Sequence, residues 1–189
     1  MLFPRQTVVL ERYPLRAEDF RADVRPFVEA IIARHGLEEF KAAVLTNELH
    51  RHLGTFSILG AKMGIRAREL LGADLDALRV ETNAGLKPPL SCLNDGLQAA
   101  TGASLGRGTI RVREGEAGPA ATFFNGAKKL TLSLKDNIFR GIRGEQEALG
   151  RRFGNTGVEY FQEIRKRALK HWLELDRREI FEETLEDAK

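Results

Sequence analysis

The sequence contains a single cysteine, Cys92, among its 189 residues. One thiol cannot form a disulfide within the chain, and cysteine-rich structural zinc modules need several. A lone cysteine is typical of a reducing compartment. The chain also lacks a run of about 20 apolar residues that would span a bilayer, and its N-terminal segment lacks the apolar centre of a signal peptide. These absences predict a cytoplasmic protein without a membrane partner.

Neither sign of charge dominates, since 30 Lys and Arg residues face 27 Asp and Glu residues and leave a net charge of +3. A surplus this small does not favour a nucleic-acid partner. The most basic stretch, residues 165–170, lies beside several glutamates and has little aromatic interleaving. We therefore interpret it as a solvated helix face and predict no binding to nucleic acid.

Apolar residues at helical spacing predict N-terminal helices within residues 17–36. Pro26 either kinks one helix or begins a second. Residues 38–49 fit the end of a helix or a short strand equally well. A helix is predicted over Thr55–Leu71, where Gly60 and Gly64 indicate close approach to another backbone segment or simply tight packing. Another short helix is predicted over residues 93–100.

Four strands are predicted, at residues 78–80, 109–112, 121–124 and 130–134. In the last of them, leucines alternate with polar residues, so one face is buried and the other solvated. Asn125-Gly126 is a strong hairpin turn sequence between the last two strands. Helices and strands without strict alternation predict an α+β fold.

Beyond residue 140 the pattern becomes helical and rich in glycine. Residues 141–157 contain five glycines and are predicted to form a linker. An amphipathic helix is predicted over residues 158–175, followed by a second helical piece over 177–186. The predicted organisation is a core domain at 1–145, which includes the helices within 17–36, and a C-terminal helical extension at 146–189.

The candidate chemistry lies in two short segments. His50 and His52 are two residues apart, so in an extended segment both imidazoles face the same side, as a pair of metal ligands would. Two partly exposed histidines at a helix entry are the alternative. Cys92 precedes a predicted helix, whose N-terminus favours the thiolate that binds a metal or attacks a substrate. A buried, inert cysteine is the alternative. Asp95 lies about one turn further on. It would orient a metal ligand or bind the metal itself, or its charge would only stabilise the N-terminus of the helix.

Four segments together resemble the FmdE family of formylmethanofuran dehydrogenase proteins. They are H-R-H-L-G at 50–54, G-A-K-M-G at 60–64, S-C-L-N-D-G-L-Q at 91–98 and T-G-A-S-L-G-R-G at 101–108. Family members have an H-x-H segment, a glycine-containing helix and a C-x-x-D-x-[IL]-Q segment that leads into T-G-C-T-x-G-[KR]-G. The resemblance covers roughly residues 44–136, and it is the combination that is specific.

The resemblance implies a thioredoxin-like α+β core, in which helices flank a mixed sheet of about five strands, and a homodimer with a cleft. It also implies a metal site, zinc in some members, at His50, His52 and Cys92, with Asp95 and Gln98 nearby. Some members are linked with molybdenum or tungsten formylmethanofuran dehydrogenase and with one-carbon metabolism, which implies an oxidoreductase subunit as partner.

The sequence departs from the family pattern at several positions. Many members have a cysteine where Gly54 stands, and the second cysteine of the T-G-C-T segment is Ala103 here. A dithiol redox role within one chain is therefore closed. Some members add a C-terminal treble-clef zinc finger, whereas residues 146–189 contain no cysteine.

The first functional hypothesis is a protein that binds zinc or another divalent transition metal. It would be an enzyme or an accessory subunit that acts on a small organic or one-carbon carrier substrate. Cys92 and Asp95 are its candidate catalytic residues. Lys62 and Arg107 are its candidates for holding an anionic substrate, unless both are merely surface residues.

Two other hypotheses use overlapping residues. One is a non-catalytic dimeric module that docks a larger oxidoreductase through an apolar helix face containing Phe161, Ile164 and Trp172. The other is nucleophilic chemistry at Cys92 with a histidine base and without a metal.

Overall fold

The computed structural model describes residues 8–115 and 118–187. In this part of the chain the helices are α1 (Val28–His35), α2 (Leu37–His50), α3 (Thr55–Leu71), α4 (Cys92–Thr101), α5 (Asp136–Phe153) and α6 (Val158–Glu174). The strands are β1 (Arg79–Thr82), β2 (Ile110–Val112), β3 (Ala120–Asn125), β4 (Lys128–Leu134) and β5 (Phe181–Asp187).

The N-terminal helical region begins with two 3-10 turns, Ala17–Asp19 and Arg25–Phe27. Pro26 lies in the second turn, directly before α1, so it begins a helix and does not kink one. The ambiguous residues 38–49 are helical and belong to α2. Gly36 separates α1 from α2 with a φ of 84°, a conformation that is easy for glycine and costly for other residues.

The five strands form one mixed sheet in the order β2-β1-β3-β4-β5. β1 and β2 are parallel, with Val80 opposite Ile110, and α4 lies between them in the chain. The other three pairings are antiparallel. The predicted turn at Asn125-Gly126 joins β3 to β4, and Gly126 has a φ of 57°. The predicted α+β class and five-stranded mixed sheet are confirmed, while the thioredoxin-like arrangement stays a prediction.

Helix α3 lies between two hydrophobic clusters. Phe56, Leu59 and Met63 pack in the cluster that contains the inner face of the sheet. Ile58 and Ile65 pack in a second cluster formed mainly with α1, α2 and α6. A helix that is apolar nearly all round is expected to be buried on all sides. Helix α3 therefore packs against the sheet on one side and against α1, α2 and α6 on the other.

The small residues of α3 allow α4 to approach its backbone. A methyl group on Gly60 would lie 2.1 Å from the carbonyl oxygen of Leu93, and one on Gly96 would lie 2.2 Å from that of Ser57. Gly64 faces Ala100 in the same way, at 2.6 Å from its Cβ. The close approach predicted from Gly60 and Gly64 is confirmed, and its partner is α4.

The C-terminal region differs from the prediction in two ways. Residues 141–157, predicted to be a linker, are mostly helical, because α5 continues to Phe153 and buries Ile142 against the sheet cluster. The prediction of a helical piece over 177–186 is wrong, because β5 begins at Phe181 within this segment and pairs with β4. The boundary predicted at 145/146 therefore falls inside α5.

Helix α6 confirms the predicted amphipathic helix but does not offer the predicted docking face. Trp172 is 2% exposed and stacks on Phe40 at a ring separation of 5.5 Å, and Ile164 is also buried. Only Phe161, 50% exposed, remains accessible. No helix in the described residues is both long and apolar enough to cross a bilayer.

Candidate functional site

A pocket of about 300 Å³ lies where the end of α2, the start of α4 and the edge strand β2 meet. Its polar lining comes from His50, Ser91, Cys92, Asn94, Asp95 and Gln98. Its apolar lining comes from Leu86, Pro88, Leu105, Ile110 and Val112. The structure thus brings together His50, Cys92 and Asp95, three of the residues that the sequence singled out.

The centre of this pocket is a hydrogen bond between His50 and Asp95. His50 is the last residue of α2, and Asp95 lies in the first turn of α4. The Nδ1 of His50 is 2.8 Å from the Oδ2 of Asp95. A carboxylate at this distance accepts the proton of Nδ1, so the neutral ring carries its lone pair on Nε2. That Nε2 is buried and has no hydrogen-bond partner in the described structure.

Cys92 is the first residue of α4, whereas the predicted helix begins one residue after it, and its thiol is not set up as a thiolate. Ser91 occupies the N-cap position without a capping side-chain hydrogen bond. Burial raises the pKa of the Cys92 thiol to about 11, and the nearby carboxylate of Asp95 adds to the effect. Desolvation therefore outweighs the helix N-terminus, and the predicted preference for thiolate is wrong for the metal-free protein. This finding also weakens the metal-free nucleophile hypothesis.

His52 does not line the pocket with His50. Arg51 adopts a left-handed conformation, with a φ of 66°, at the end of α2, so residues 50–52 are not a regular extended segment. The two imidazole rings nevertheless lie together, with a centroid separation of 4.2 Å. Partial burial lowers the pKa of His52, and the neighbouring His50 lowers it further. The His52 ring is thus favoured in the neutral form that binds metals.

The donors fit a metal in chemical type but are not assembled into a complete site. A histidine whose Nδ1–H is held by a carboxylate, with Nε2 left free, is a common arrangement for a metal ligand, and His50 fits it. In residues 8–115 and 118–187, however, no group of three His, Cys, Asp or Glu side chains lies close enough to hold an ion. The three-ligand zinc site therefore stays a prediction.

Lys62 is not available to a substrate. Its side chain is fully buried in α3, and its Nζ donates a hydrogen bond of 2.6 Å to the Oε1 of Glu39 on α2. Arg177 donates to the other oxygen of Glu39 at 3.0 Å. Burial lowers the pKa of Lys62, and Glu39 opposes this effect. The predicted anion-binding role of Lys62 is corrected to a structural ion pair outside the pocket.

Arg107 lies in the loop after α4 and is half exposed. Its Nη1 pairs with the carboxylate of Asp76 at 2.5 Å and donates to the carbonyl oxygen of Gly102 at 3.2 Å. It does not line the pocket, although Leu105 of the same loop does. The prediction of a substrate-binding Arg107 therefore has no support from its position.

Asn94 is a buried polar residue of the pocket that the sequence reasoning missed. It is only 7% exposed, and its Nδ2 donates a hydrogen bond of 2.9 Å to the carbonyl oxygen of Gly85. Its Oδ1 is buried without a partner in the described structure. Its position between Cys92 and Asp95 is the one sequence feature that points to a role in the site. The hydrogen bond to Gly85, 9 residues away, cannot be predicted from a sequence pattern.

Comparisons with known proteins agree with the resemblance seen in the motifs. The family model described as FmdE, molybdenum formylmethanofuran dehydrogenase operon, matches residues 49–182. A protein of Archaeoglobus fulgidus named probable S-adenosyl-L-methionine-binding protein is 37% identical over 65 residues. That match covers 33% of this chain and 18% of the relative, so the chain spans less than a fifth of the relative's length.

Proposed function

Because the chain belongs to the FmdE family, we propose that it is a metal-binding protein associated with a formylmethanofuran dehydrogenase. The metal is zinc or another divalent transition metal. It is held in the pocket between α2 and α4, where the protein acts on a small organic or one-carbon carrier molecule. The observation that carries the proposal is the buried Nε2 of His50, which has no hydrogen-bond partner among the described residues and whose ring Asp95 holds from the opposite side.

His50 and Cys92 would hold the metal, and His52 is the third donor expected from the sequence. Asp95 fixes the tautomer and the orientation of the His50 ring, so Nε2 keeps its lone pair for a ligand bond. The apolar part of the lining lowers the effective dielectric constant around these donors and so strengthens their electrostatic interactions. A bound divalent metal supplies Lewis acidity or activates a water molecule, and it lowers the pKa of a coordinated thiol, which burial raises for Cys92 in the free protein.

The test is a zinc titration by calorimetry, with elemental analysis of protein purified without chelators. We expect about one zinc per chain, and loss of binding in His50→Gln and Cys92→Ser. Asp95→Asn should weaken affinity by about 10- to 100-fold, because it removes the carboxylate that orients the ligand. Asp76→Asn is the matched control, since it makes the same change at a residue outside the pocket.

Two results would defeat the metal proposal. One is a metal content well below one per chain that does not fall further in Cys92→Ser. The other is an equal loss of zinc affinity in Asp95→Asn and in Asp76→Asn, because the loss would then report charge and not ligand orientation.

A second candidate is the non-catalytic assembly module, and exposed leucines around the pocket favour it. Leu86 and Leu105 line the pocket yet are 74% and 66% exposed. Exposed apolar side chains that lie together often mark an interface. Here the interface would bind a second copy or an oxidoreductase subunit. Sedimentation of wild type and of Leu86→Glu/Leu105→Glu tests the homodimer, which should dissociate in the double variant. A monomeric wild type would exclude it.

A further inference from the structure

The pocket that carries the proposed function has a definite pattern of charge. Among its lining residues, all of which lie in the described part of the chain, none is Lys or Arg. The one carboxylate, Asp95, is already hydrogen-bonded to His50. In the metal-free protein an anionic group placed here would meet an acidic neighbour and no cationic lining residue, and it would lose part of its hydration. The lining therefore disfavours carboxylate and phosphate ligands.

Asn94 adds a specific hydrogen-bonding requirement. Because its Nδ2 donates to the carbonyl of Gly85, the other amide atom is the acceptor Oδ1. This Oδ1 is buried and has no hydrogen-bond partner in the part of the chain that the structure describes. A buried acceptor left unpaired costs about 1–3 kcal/mol, so native structures retain few of them without a reason. A ligand with a hydrogen-bond donor would relieve this cost.

The rest of the lining describes the body of the ligand. Leu86, Pro88, Leu105, Ile110 and Val112 are all apolar. The volume of about 300 Å³ is at the lower end of the range for small-molecule sites. A small apolar or aromatic body fits these walls, with its polar end toward α4.

We infer that the pocket takes a small molecule without an anionic group, with an apolar body and an N–H group, and that Oδ1 of Asn94 accepts the hydrogen bond from that group. A primary amide or a lactam has this chemistry. The inference rests on the proposed function in taking this pocket as the ligand site, but it does not depend on the metal. Asn94 is then a residue that determines specificity.

Three matched probes test the inference on the full chain in its metal-free form: benzamide, benzoate and N,N-dimethylbenzamide. Benzoate replaces the neutral amide by an anion, and the dimethyl compound lacks the N–H. Titrations followed by protein NMR should move the methyl signals of Ile110 and Val112, which places the probe in the pocket. Benzamide should bind about tenfold more tightly than either of the others, the size expected for one buried hydrogen bond.

The variant Asn94→Leu should bind benzamide no better than N,N-dimethylbenzamide, because the acceptor is lost. Asn125→Leu makes the same change in the β3–β4 hairpin, away from the pocket, and should keep the wild-type ranking. The ranking of the three probes on the wild type tests the inference even if Asn94→Leu does not fold.

Several outcomes would overturn the inference. They are benzoate or N,N-dimethylbenzamide binding as tightly as benzamide, no benzamide binding at millimolar concentration, or an unchanged ranking in Asn94→Leu. The zinc titration separates the two proposals. Absent zinc binding with the expected probe ranking overturns only the metal, whereas normal zinc binding with the wrong ranking overturns only the ligand class.

Discussion

The crossing of α3 and α4 gives the sharpest prediction about stability. In Gly60→Ala the new methyl group would lie 2.1 Å from the carbonyl oxygen of Leu93 and 3.0 Å from the Cα of Gly96. Both obstacles are backbone atoms of α4, which cannot move aside as a flexible side chain would. The variant must therefore push the two helices apart, and α4 carries Asp95 away from His50.

The size of the effect follows from two opposing contributions. Overpacking a buried site costs about 1–3 kcal/mol, and a backbone obstacle places this site near the upper value. Alanine improves helix propensity over glycine by about 1 kcal/mol. The net loss is about 2 kcal/mol, which lowers the Tm by about 4–8 °C for a chain of this size.

Gly144→Ala in α5 is the matched control, because among the described residues no atom beyond its chain neighbours and its own helix backbone lies within 4 Å of the position of the new methyl group. Only the propensity gain applies there, so its Tm should rise by about 2–4 °C. Urea unfolding and thermal melts of the two variants beside the wild type measure the difference. Stabilisation of Gly60→Ala equal to that of Gly144→Ala would contradict a backbone obstacle at Gly60.

The remaining predictions concern buried charge. Among the described residues, Lys62→Met leaves the fully buried Glu39 with only Arg177 as a charged hydrogen-bond donor. Unfolding in urea should therefore show a loss of about 3–5 kcal/mol, and adding Glu39→Gln should recover part of it. Unchanged stability in Lys62→Met would contradict the ion pair. Burial lowers the pKa of His35 and of His171 below the unfolded value of about 6.5. Below about pH 6.5 the unfolded chain therefore binds more protons than the folded chain, and the free energy of unfolding should fall as the pH drops through this value. Equal urea midpoints at about pH 7.5 and about pH 5.5 would count against this.

The parts of the fold that the sequence predicts well are those specified by local pattern. α3, α4 and four strands follow from apolar periodicity and from turn glycines. The glycines of α5 suggest a flexible linker, yet Ile138, Phe139 and Ile142 pack this helix against the sheet cluster. Tertiary packing here overrides the weak helix propensity of glycine.

Strand β5 is hard to recognise from the sequence because its exposed acidic residues do not alternate with buried apolar ones. Its stability depends on partners far away in the chain. Glu186 pairs with Lys129 at 2.7 Å, and Glu183 pairs with Arg66 at 2.7 Å. Such pairings across strands and to a helix cannot be read from the local sequence.

The candidate site is predictable only in part for the same reason. The chemistry of His50, Cys92 and Asp95 is visible in their residue types, and the structure places them around one pocket. The structural role of Lys62 is hidden in the sequence because its partner Glu39 lies 23 residues away on another helix. The protonation of Cys92 depends on burial, and burial follows from the packing of the whole molecule.

Helix α3 belongs to both hydrophobic clusters, and this determines how the protein should unfold. If either the cluster at the sheet or the cluster of helices unfolded alone, one side of α3 would lose its packing partners. The two sides should therefore melt in a single transition, and amide hydrogens in the middle of α3 should be among the last to exchange with deuterium.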